Sequence, residues 1–220
     1  MFTLEEFKTE YETDTTELTL KGRTFHFLVP GKLDRFLHSD DLFKDFPLWS
    51  KPWEASWILA DYIAGMEVDP DKRFLEIGAG MGLVGIIAAC FGHNVTITEY
   101  NHHAIQFARA NALLNGCMNL DIRELDWHSP ALEGSFDYIV ASEVTYKEED
   151  YDPLYGLIKL YLKHSGKVIV CSEVRKTTMA FFQKMQAFFD ITAQKKTLRG
   201  DTDERHIVLG HMTFKNLTDE

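Results

Sequence analysis

The chain has 220 residues and a formal net charge of −11, from 34 acidic and 23 basic side chains. This length suits one domain with a sizeable core, and the 45% hydrophobic residues supply enough apolar surface for folding. The acidic balance argues against a nucleic-acid partner, because proteins that bind phosphate backbones usually carry a basic patch. It points more weakly towards basic partners.

The cysteines and the start of the chain indicate a reducing compartment. Cys90, Cys117 and Cys171 are odd in number and lack the short spacing of a zinc site, so we expect buried free thiols and no metal. The first residues, MFTLEEFKTE, show neither the basic region nor the apolar stretch of a signal peptide. The longest apolar run, 83–91, is too short to span a bilayer. We therefore expect a cytoplasmic protein without a membrane partner.

Residues 1–52 are predicted to form an N-terminal extension. Residues 3–12 suit a short helix, and residues 15–29 alternate polar and apolar side chains about the turn signal Lys21-Gly22, which predicts a hairpin. The extension is the candidate for a lid or a protein-docking surface. Its aromatic side chains that we expect to be exposed are Phe25, Phe27, Phe36 and Phe43.

Residues 53–220 show alternating helix and strand patterns. Helices are predicted at 53–64, 82–91, 102–114, 152–162 and 176–189, and strands at 73–77, 94–99, 120–125, 136–142, 167–172, 191–198 and 206–213. Such alternation implies a mostly parallel, doubly wound α/β sheet. The last two strands are joined by a polar turn at 199–203 without a helix, so they pair as a hairpin and at least one runs antiparallel.

A glycine-rich loop, Glu76-Ile77-Gly78-Ala79-Gly80-Met81-Gly82, follows the first strand of this region. Glycines between a strand and a helix give a tight turn in which a ligand can approach the main chain. Two patterns fit here: E-x-G-x-G-x-G, and the dinucleotide fingerprint G-x-G-x-x-G from Gly80 to Gly85. We favour a ligand with an ammonium group, because the Glu76 carboxylate would attract it and would repel a pyrophosphate.

The glycine loop and the closing hairpin resemble those of the class I, seven-stranded S-adenosylmethionine-dependent methyltransferases. The resemblance covers roughly residues 53–214. It implies a Rossmann-like sheet that binds S-adenosylmethionine and releases S-adenosylhomocysteine. A nicotinamide cofactor and a purely structural glycine turn remain as alternatives.

The expected donor site lies at the carboxyl ends of the strands, where ligands of open α/β sheets bind. Glu99 ends the second strand, and its carboxylate can accept both ribose hydroxyl protons. Asp126-Trp127 follows the third strand, where similar methyltransferases place an acidic residue on the adenine amine and the next residue beside the ring. The expected donor contacts are Trp53, Glu76, Gly78, Ala79, Gly80, Gly82, Glu99, Tyr100, Asp126, Trp127 and Ser142.

The expected acceptor site follows the fourth strand. Glu143-x-x-Tyr146 resembles the D/E-x-x-Y motif of the lysine methyltransferase-like branch of this superfamily, and Trp53-Glu54-Ala55 and Asp126-Trp127 agree with that branch. The resemblance implies in-line methyl transfer to an amine, foremost a protein lysine. Glu143 is expected to orient the incoming ammonium, and Tyr146 to aim the amine. We do not expect Glu143 to act as a strong base, because a carboxylate raises the pKa of a neighbouring ammonium and so opposes its deprotonation.

Two alternatives share this fold: a small-molecule N-methyltransferase and a catalytically silent module that only binds the donor. The acidic run at 147–152 would suit recruitment of a basic protein substrate, and it also suits a solvated helix start. A monomer or weak oligomer is expected.

Overall fold

Helices and strands alternate along most of the protein in a computed structural model that describes residues 2–37, 46–199 and 204–215. The helices are α1 (Leu4–Glu10), α2 (Glu54–Ala64), α3 (Leu83–Cys90), α4 (His102–Leu114), α5 (Tyr151–Tyr161) and α6 (Lys176–Met185). The strands are β1 (Thr13–Leu20), β2 (Arg23–Pro30), β3 (Arg73–Glu76), β4 (Asn94–Glu99), β5 (Asp121–Glu124), β6 (Phe136–Ser142), β7 (Leu162–Glu173), β8 (Phe189–Arg199) and β9 (Glu204–Phe214).

Seven strands form the central sheet in the order β5-β4-β3-β6-β7-β9-β8. The first five are parallel, whereas β9 runs antiparallel to both β7 and β8. The expected doubly wound sheet with a closing hairpin is confirmed. The chain order reverses between β3 and β6, and a crevice forms at the carboxyl ends of strands at such a reversal.

Alternate residues of the central strands enter different apolar clusters, because successive side chains of a strand point to opposite faces. Phe74 and Val140 belong to the cluster that includes α2 and α3. Leu75 and Ile139 belong to the cluster that includes α5 and α6. Helices therefore cover both faces of the sheet, and this double burial explains why β6 is almost continuously apolar.

The N-terminal hairpin forms where it was predicted, but its aromatic side chains are not exposed. Lys21 and Gly22 both have positive φ, 47° and 79°, as a two-residue hairpin turn requires. Phe25 and Phe27 are only 2% and 1% exposed, and Phe36 is also buried. The expected exposure is wrong because a two-stranded sheet needs cover, and this one packs its apolar face onto the domain. Phe43 lies outside the described residues.

Asn111 of α4 and Asn115, which follows that helix, continue the hydrogen bonding of β2 on the side away from β1. The Asn111 side chain accepts from the Leu28 amide at 2.7 Å and donates to the Leu28 carbonyl at 3.2 Å. One turn further, Asn115 makes the same pair of bonds to His26. Asn111 also donates to the carbonyl of Met81 at 3.2 Å. The extension is therefore tied both to α4 and to the glycine loop.

Element boundaries differ from the predictions where long-range pairing extends a strand. Strand β7 begins at Leu162 rather than 167, because Leu162 pairs with Phe136. Helix α6 ends at Met185 rather than 189, because Phe189 pairs with Phe214 in the closing hairpin. The polar turn between β8 and β9 lies largely outside the described residues.

The cysteines match their prediction in part. Cys171 is buried, whereas Cys90 and Cys117 are half-buried, with their sulfur atoms 2.7 Å apart. All three are free thiols. Among the described helices, none combines the length and the apolar character that a bilayer crossing needs.

Replacement of Asn111 by Ala is expected to lower the free energy of unfolding by about 3 kcal/mol, because it leaves buried main-chain groups of β2 without partners. Urea denaturation followed by circular dichroism measures the change. Asn119→Ala removes an exposed asparagine nearby and should change stability by less than about 0.5 kcal/mol. Equal midpoints for the two variants would show that the Asn111 bonds contribute nothing to stability.

Candidate active site

A cavity of about 1090 Å³ opens beyond the carboxyl ends of the central strands, where the chain order reverses. Its wall combines residues that follow β3, β4, β5, β6 and β7. Most of the expected site residues lie in this wall: Trp53, Gly78, Ala79, Gly80, Glu99, Tyr100, Asp126, Trp127, Ser142, Glu143 and Tyr146. Glu76 and Gly82 are not part of it.

The glycine loop fits tightly between two tryptophans. Gly78 has φ +61°, and a Cβ there would lie 2.9 Å from the ring of Trp127 and from Val144. Gly80 has φ +55°, and a Cβ there would lie 3.4 Å from the main-chain oxygen of Trp49. Both positions therefore need glycine, which leaves main chain bare along the cavity wall.

Gly82 has a packing role in place of the expected ligand contact. It precedes α3 with φ +81°, and a Cβ there would lie 3.1 Å from the side chains of Ala108 and Ile86. The third glycine of the motif thus permits the chain to turn into α3 close to α4. The sequence pattern does not distinguish such a packing glycine from one that faces a ligand.

The Glu76 side chain does not reach the cavity, so the expected attraction of a ligand ammonium is wrong. Its carboxylate is 1% exposed and accepts a hydrogen bond of 2.8 Å from the Gly85 amide. Burial has the largest effect and raises the pKa of Glu76 to about 8, whereas the hydrogen bond from the Gly85 amide lowers it. Glu76 is therefore mostly protonated at neutral pH. Its side chain lies beneath the loop, supports α3 and presents no full negative charge to a ligand.

Glu99 connects the end of β4 to the glycine loop. Its carboxylate accepts hydrogen bonds from the amides of Gly80 at 2.8 Å, Tyr100 at 2.8 Å and Asn101 at 2.9 Å. Burial raises the pKa of Glu99 and the three amides lower it. A carboxylate accepts about four hydrogen bonds. One acceptor position therefore remains for a ligand hydroxyl, whereas the sequence prediction assigned it two.

Asp126 and Trp127 occupy the wall after β5. Asp126 accepts from the His128 amide at 2.8 Å, which fixes a turn and holds the carboxylate at the rim. The Trp127 ring is half-buried against Gly78. Both residues lie in the cavity wall, and the adenine contact that the sequence predicts for them stays a prediction.

Trp53 and Ser142 border the cavity from α2 and β6. Trp53 donates its indole N–H to the Leu48 carbonyl at 2.8 Å, and the Lys51 ammonium lies 4.1 Å from its ring centre. Ser142 shares a hydrogen bond of 2.9 Å with Ser56. The Lys51 ammonium therefore lies over the Trp53 ring, and the donor contact expected of Trp53 stays a prediction.

Glu143 follows β6 in a left-handed conformation, with φ 54°. One carboxylate oxygen accepts from the Glu173 amide at 2.8 Å, and the other accepts from the Arg175 guanidinium at 2.7 Å. Arg175 also binds the Glu173 carboxylate at 2.5 Å. The carboxylate that was expected to receive a substrate ammonium is thus already paired with a cation.

Tyr146 lies at the cavity wall with 38% of its surface exposed. Burial raises the pKa of the Tyr146 phenol, and the negative charges of Asp150 and Glu99 raise it further. The hydroxyl therefore stays protonated at neutral pH and is available as a hydrogen-bond donor or acceptor.

Sequence reasoning missed several residues of the wall. Arg175 follows β7, so the strand-end rule that found Glu99 and Glu143 would also have found it. Phe36 and Trp49 reach the wall from the extension, with ring centres 5.0 Å apart. His103 lines the cavity and contacts the Tyr11 hydroxyl at 2.9 Å. No periodicity in the sequence marks these last contacts, because they join segments far apart in the chain.

The strand order and the strand-end cavity define the seven-stranded methyltransferase fold. The ribosomal protein L11 methylase of Lactobacillus delbrueckii subsp. bulgaricus superposes with a TM-score of 0.62 at 20% identity, over 91% of this chain and 99% of that chain. A Pyrococcus abyssi tRNA (uracil-54, C5)-methyltransferase, solved with S-adenosyl-L-homocysteine, gives 0.57 at 15% identity, over 91% and 45%.

The family model described as lysine methyltransferase matches residues 49–188, and the chain belongs to this family. Danio rerio protein N-lysine methyltransferase METTL21A is 33% identical over 54% of this chain and 58% of the relative. Mus musculus EEF1A lysine methyltransferase 3 is 28% identical over 62% and 61%. The Dictyostelium discoideum histidine protein methyltransferase 1 homolog is 33% identical over 56% and 42%. The chain thus spans about three fifths of the first two relatives and less of the third.

Replacement of Gly85 by Ala is expected to lower the free energy of unfolding by about 1–3 kcal/mol. An added Cβ would overlap the Glu76 carboxylate and lie 2.5 Å from Ile97, so α3 must move away from the sheet. Gly156→Ala is the matched control, because that helical glycine has open space around it and Ala favours helix by up to about 1 kcal/mol. Urea denaturation compares them, and equal stability of the two variants would contradict the close contact.

Proposed function

We propose that this protein is an S-adenosylmethionine-dependent methyltransferase that modifies a nitrogen of a protein side chain, foremost a lysine. The observation that carries the proposal is the cavity itself, in which residues after five neighbouring strands surround a glycine loop with bare main chain. Membership of the lysine methyltransferase family supports the same reading. The named relatives are lysine and histidine protein methyltransferases, which supports a protein acceptor.

The residues of the wall fit the proposed donor. The main chain at Gly78 and Gly80 is open to the amino-acid part, and the free acceptor position of Glu99 suits a ribose hydroxyl. Asp126 and Trp127 supply a carboxylate and an aromatic face for an adenine. The donor supplies a methyl group on a positively charged sulfur. A volume of about 1090 Å³ exceeds the roughly 300–1,000 Å³ of common ligand pockets, so room is left for an acceptor side chain.

The acceptor approaches from the side of Glu143 and Tyr146. Its nitrogen lone pair forms the new bond to the methyl carbon as the carbon–sulfur bond breaks, and that electron pair stays on sulfur. The protein's contribution is to hold the nitrogen in line and to exclude water. We assign to Tyr146 the role of orienting the acceptor nitrogen through its protonated hydroxyl.

The substrate protein is proposed to be basic near its acceptor. Glu149 and Asp150 lie in the cavity wall beside Tyr146, and the whole chain carries a net charge of −11. We further propose that residues 1–52 serve as part of the docking surface beside the 53–220 domain, since Phe36 and Trp49 extend the wall. We also propose a monomer or weak oligomer and a cytoplasmic location, and the three free thiols support the location.

Glu99→Ala is expected to weaken S-adenosylhomocysteine binding at least tenfold, because the loop loses its anchor and the ligand loses an acceptor worth about 1.5–3 kcal/mol. Isothermal titration calorimetry measures the dissociation constant. Glu124→Ala is the matched control, because Glu124 pairs beside Glu99 in the sheet, is exposed and lies outside the cavity wall. Unchanged affinity in Glu99→Ala, or NADH binding in place of S-adenosylhomocysteine, would refute the donor site.

The proposed reaction is tested by incubating the protein with methyl-labelled S-adenosylmethionine and a cell lysate, followed by amino-acid analysis of the labelled proteins. The expected product is methyllysine, with at least a tenfold lower rate for Tyr146→Phe and unchanged donor affinity. Label found only in small molecules would refute a protein acceptor. Donor binding without label in any fraction would indicate a silent module.

A further inference from the structure

Arg175 lies in the cavity wall and pairs with Glu143, one of the two residues proposed to face the acceptor. Its guanidinium lies in the cavity wall and bridges two carboxylates, that of Glu143 at 2.7 Å and that of Glu173 at 2.5 Å. The Glu143 side chain is 12% exposed and the Arg175 side chain 38%. Of the two carboxylates, only Glu143 reaches the cavity wall. Arg175 therefore offsets one of the two carboxylate charges, and the three groups together keep one net negative charge.

The main chain also indicates that this pair is built into the site. Glu143 holds a left-handed conformation that is unfavourable for a residue other than glycine. Both oxygens of its carboxylate are engaged, one by the Glu173 amide and one by Arg175. Strained residues of this kind persist where surrounding bonds fix them, and they cluster at ligand sites.

Several other charged groups at the wall have contacts of their own. Lys147 pairs with Glu149 at 3.8 Å, and His128 with Asp150 at 3.3 Å. The Lys51 ammonium lies over the Trp53 ring. The remaining charged or titratable groups of the wall are Glu99, Asp126, Lys176, His103, Tyr100 and Tyr146. Glu143 and Arg175 are the oppositely charged pair beside Ser142, at the end of β6.

An ion pair at this place affects the protonation of an acceptor. A carboxylate alone stabilises an ammonium, which has no lone pair to attack a methyl group. A neighbouring guanidinium opposes that effect, because like charges disfavour each other. With both present, a bound amine can release its proton to water at the open side of the cavity. The neutral nitrogen then keeps the lone pair that forms the new bond.

We propose that Arg175 is a positioning residue of the acceptor site, which holds the Glu143 carboxylate and offsets its charge, so that a bound acceptor amine loses its proton more readily. This inference rests on the proposed function and assigns to Arg175 a part in the deprotonation of the acceptor. It also changes the role of Glu143, which becomes a carboxylate paired with a cation in place of a free ammonium receptor.

The test compares two ligands that need no knowledge of the acceptor. S-Adenosylhomocysteine has an uncharged sulfur at the transfer position, whereas sinefungin has an amine-bearing carbon there and carries a positive charge. The ratio of their dissociation constants, measured by calorimetry at one fixed pH, therefore reports the charge environment of the transfer position. Removal of one unit charge a few ångströms away is expected to change this ratio about tenfold.

Arg175→Gln is expected to shift the preference about tenfold towards sinefungin, and Arg175→Lys to restore the ratio of the unmodified protein. Glu143→Gln is expected to shift it about tenfold in the opposite direction, which provides a second variant if Arg175→Gln fails to fold. Arg123→Gln is the matched control, because Arg123 pairs with Asp121 on the sheet edge, outside the cavity wall.

An unchanged ratio in Arg175→Gln, or in Glu143→Gln when only that variant folds, would overturn the inference while the donor site stands. A shift of the same size in Arg123→Gln would also overturn it. If the unmodified protein binds neither ligand, the proposed function fails and the inference fails with it.

Discussion

The site depends on one half-buried carboxylate, that of Glu99, which links the end of β4 to the loop after β3. The Glu99 carboxylate accepts hydrogen bonds from amides of the glycine loop after β3 and of the start of α4, so it holds these two parts of the cavity wall at a fixed distance from each other. A hydrogen bond to an ionised group is stronger than a neutral one, and burial strengthens it further. The free acceptor position that remains on Glu99 is the point at which the proposed donor joins this network.

Much of the fold was predictable from the sequence, because each strand and helix carries a periodic apolar pattern of its own. The alternation from Arg73 onward gave the parallel sheet, and the missing helix before β9 gave the antiparallel end. The cavity wall followed from the strand-end rule, since Glu99, Asp126 and Glu143 each lie at or just after the carboxyl end of a strand. Local signals of this kind need no knowledge of distant partners.

The incorrect predictions share a physical cause, because each depends on the groups that a side chain contacts from distant parts of the chain. The motif shows that Glu76 precedes the glycines, but its burial under α3 is decided by Gly85 and Ile97. The pairing of Glu143 with Arg175 joins residues on different strands, and neither position signals the other. Phe25 and Phe27 alternate as in any amphipathic hairpin, and only the packed structure shows the face that covers them.

The bonds from Asn111 and Asn115 to β2 also bear on how the chain folds during synthesis. The hairpin is synthesised before its partners on and just after α4, which lie 83 and 89 residues further along. Strand β2 therefore lacks these side-chain hydrogen bonds until α4 has formed, after β3 and β4 but before the other strands of the central sheet. Incompletely paired strands of this kind are among the segments that chaperones bind. The N-terminal extension is thus synthesised before the helix on which it docks.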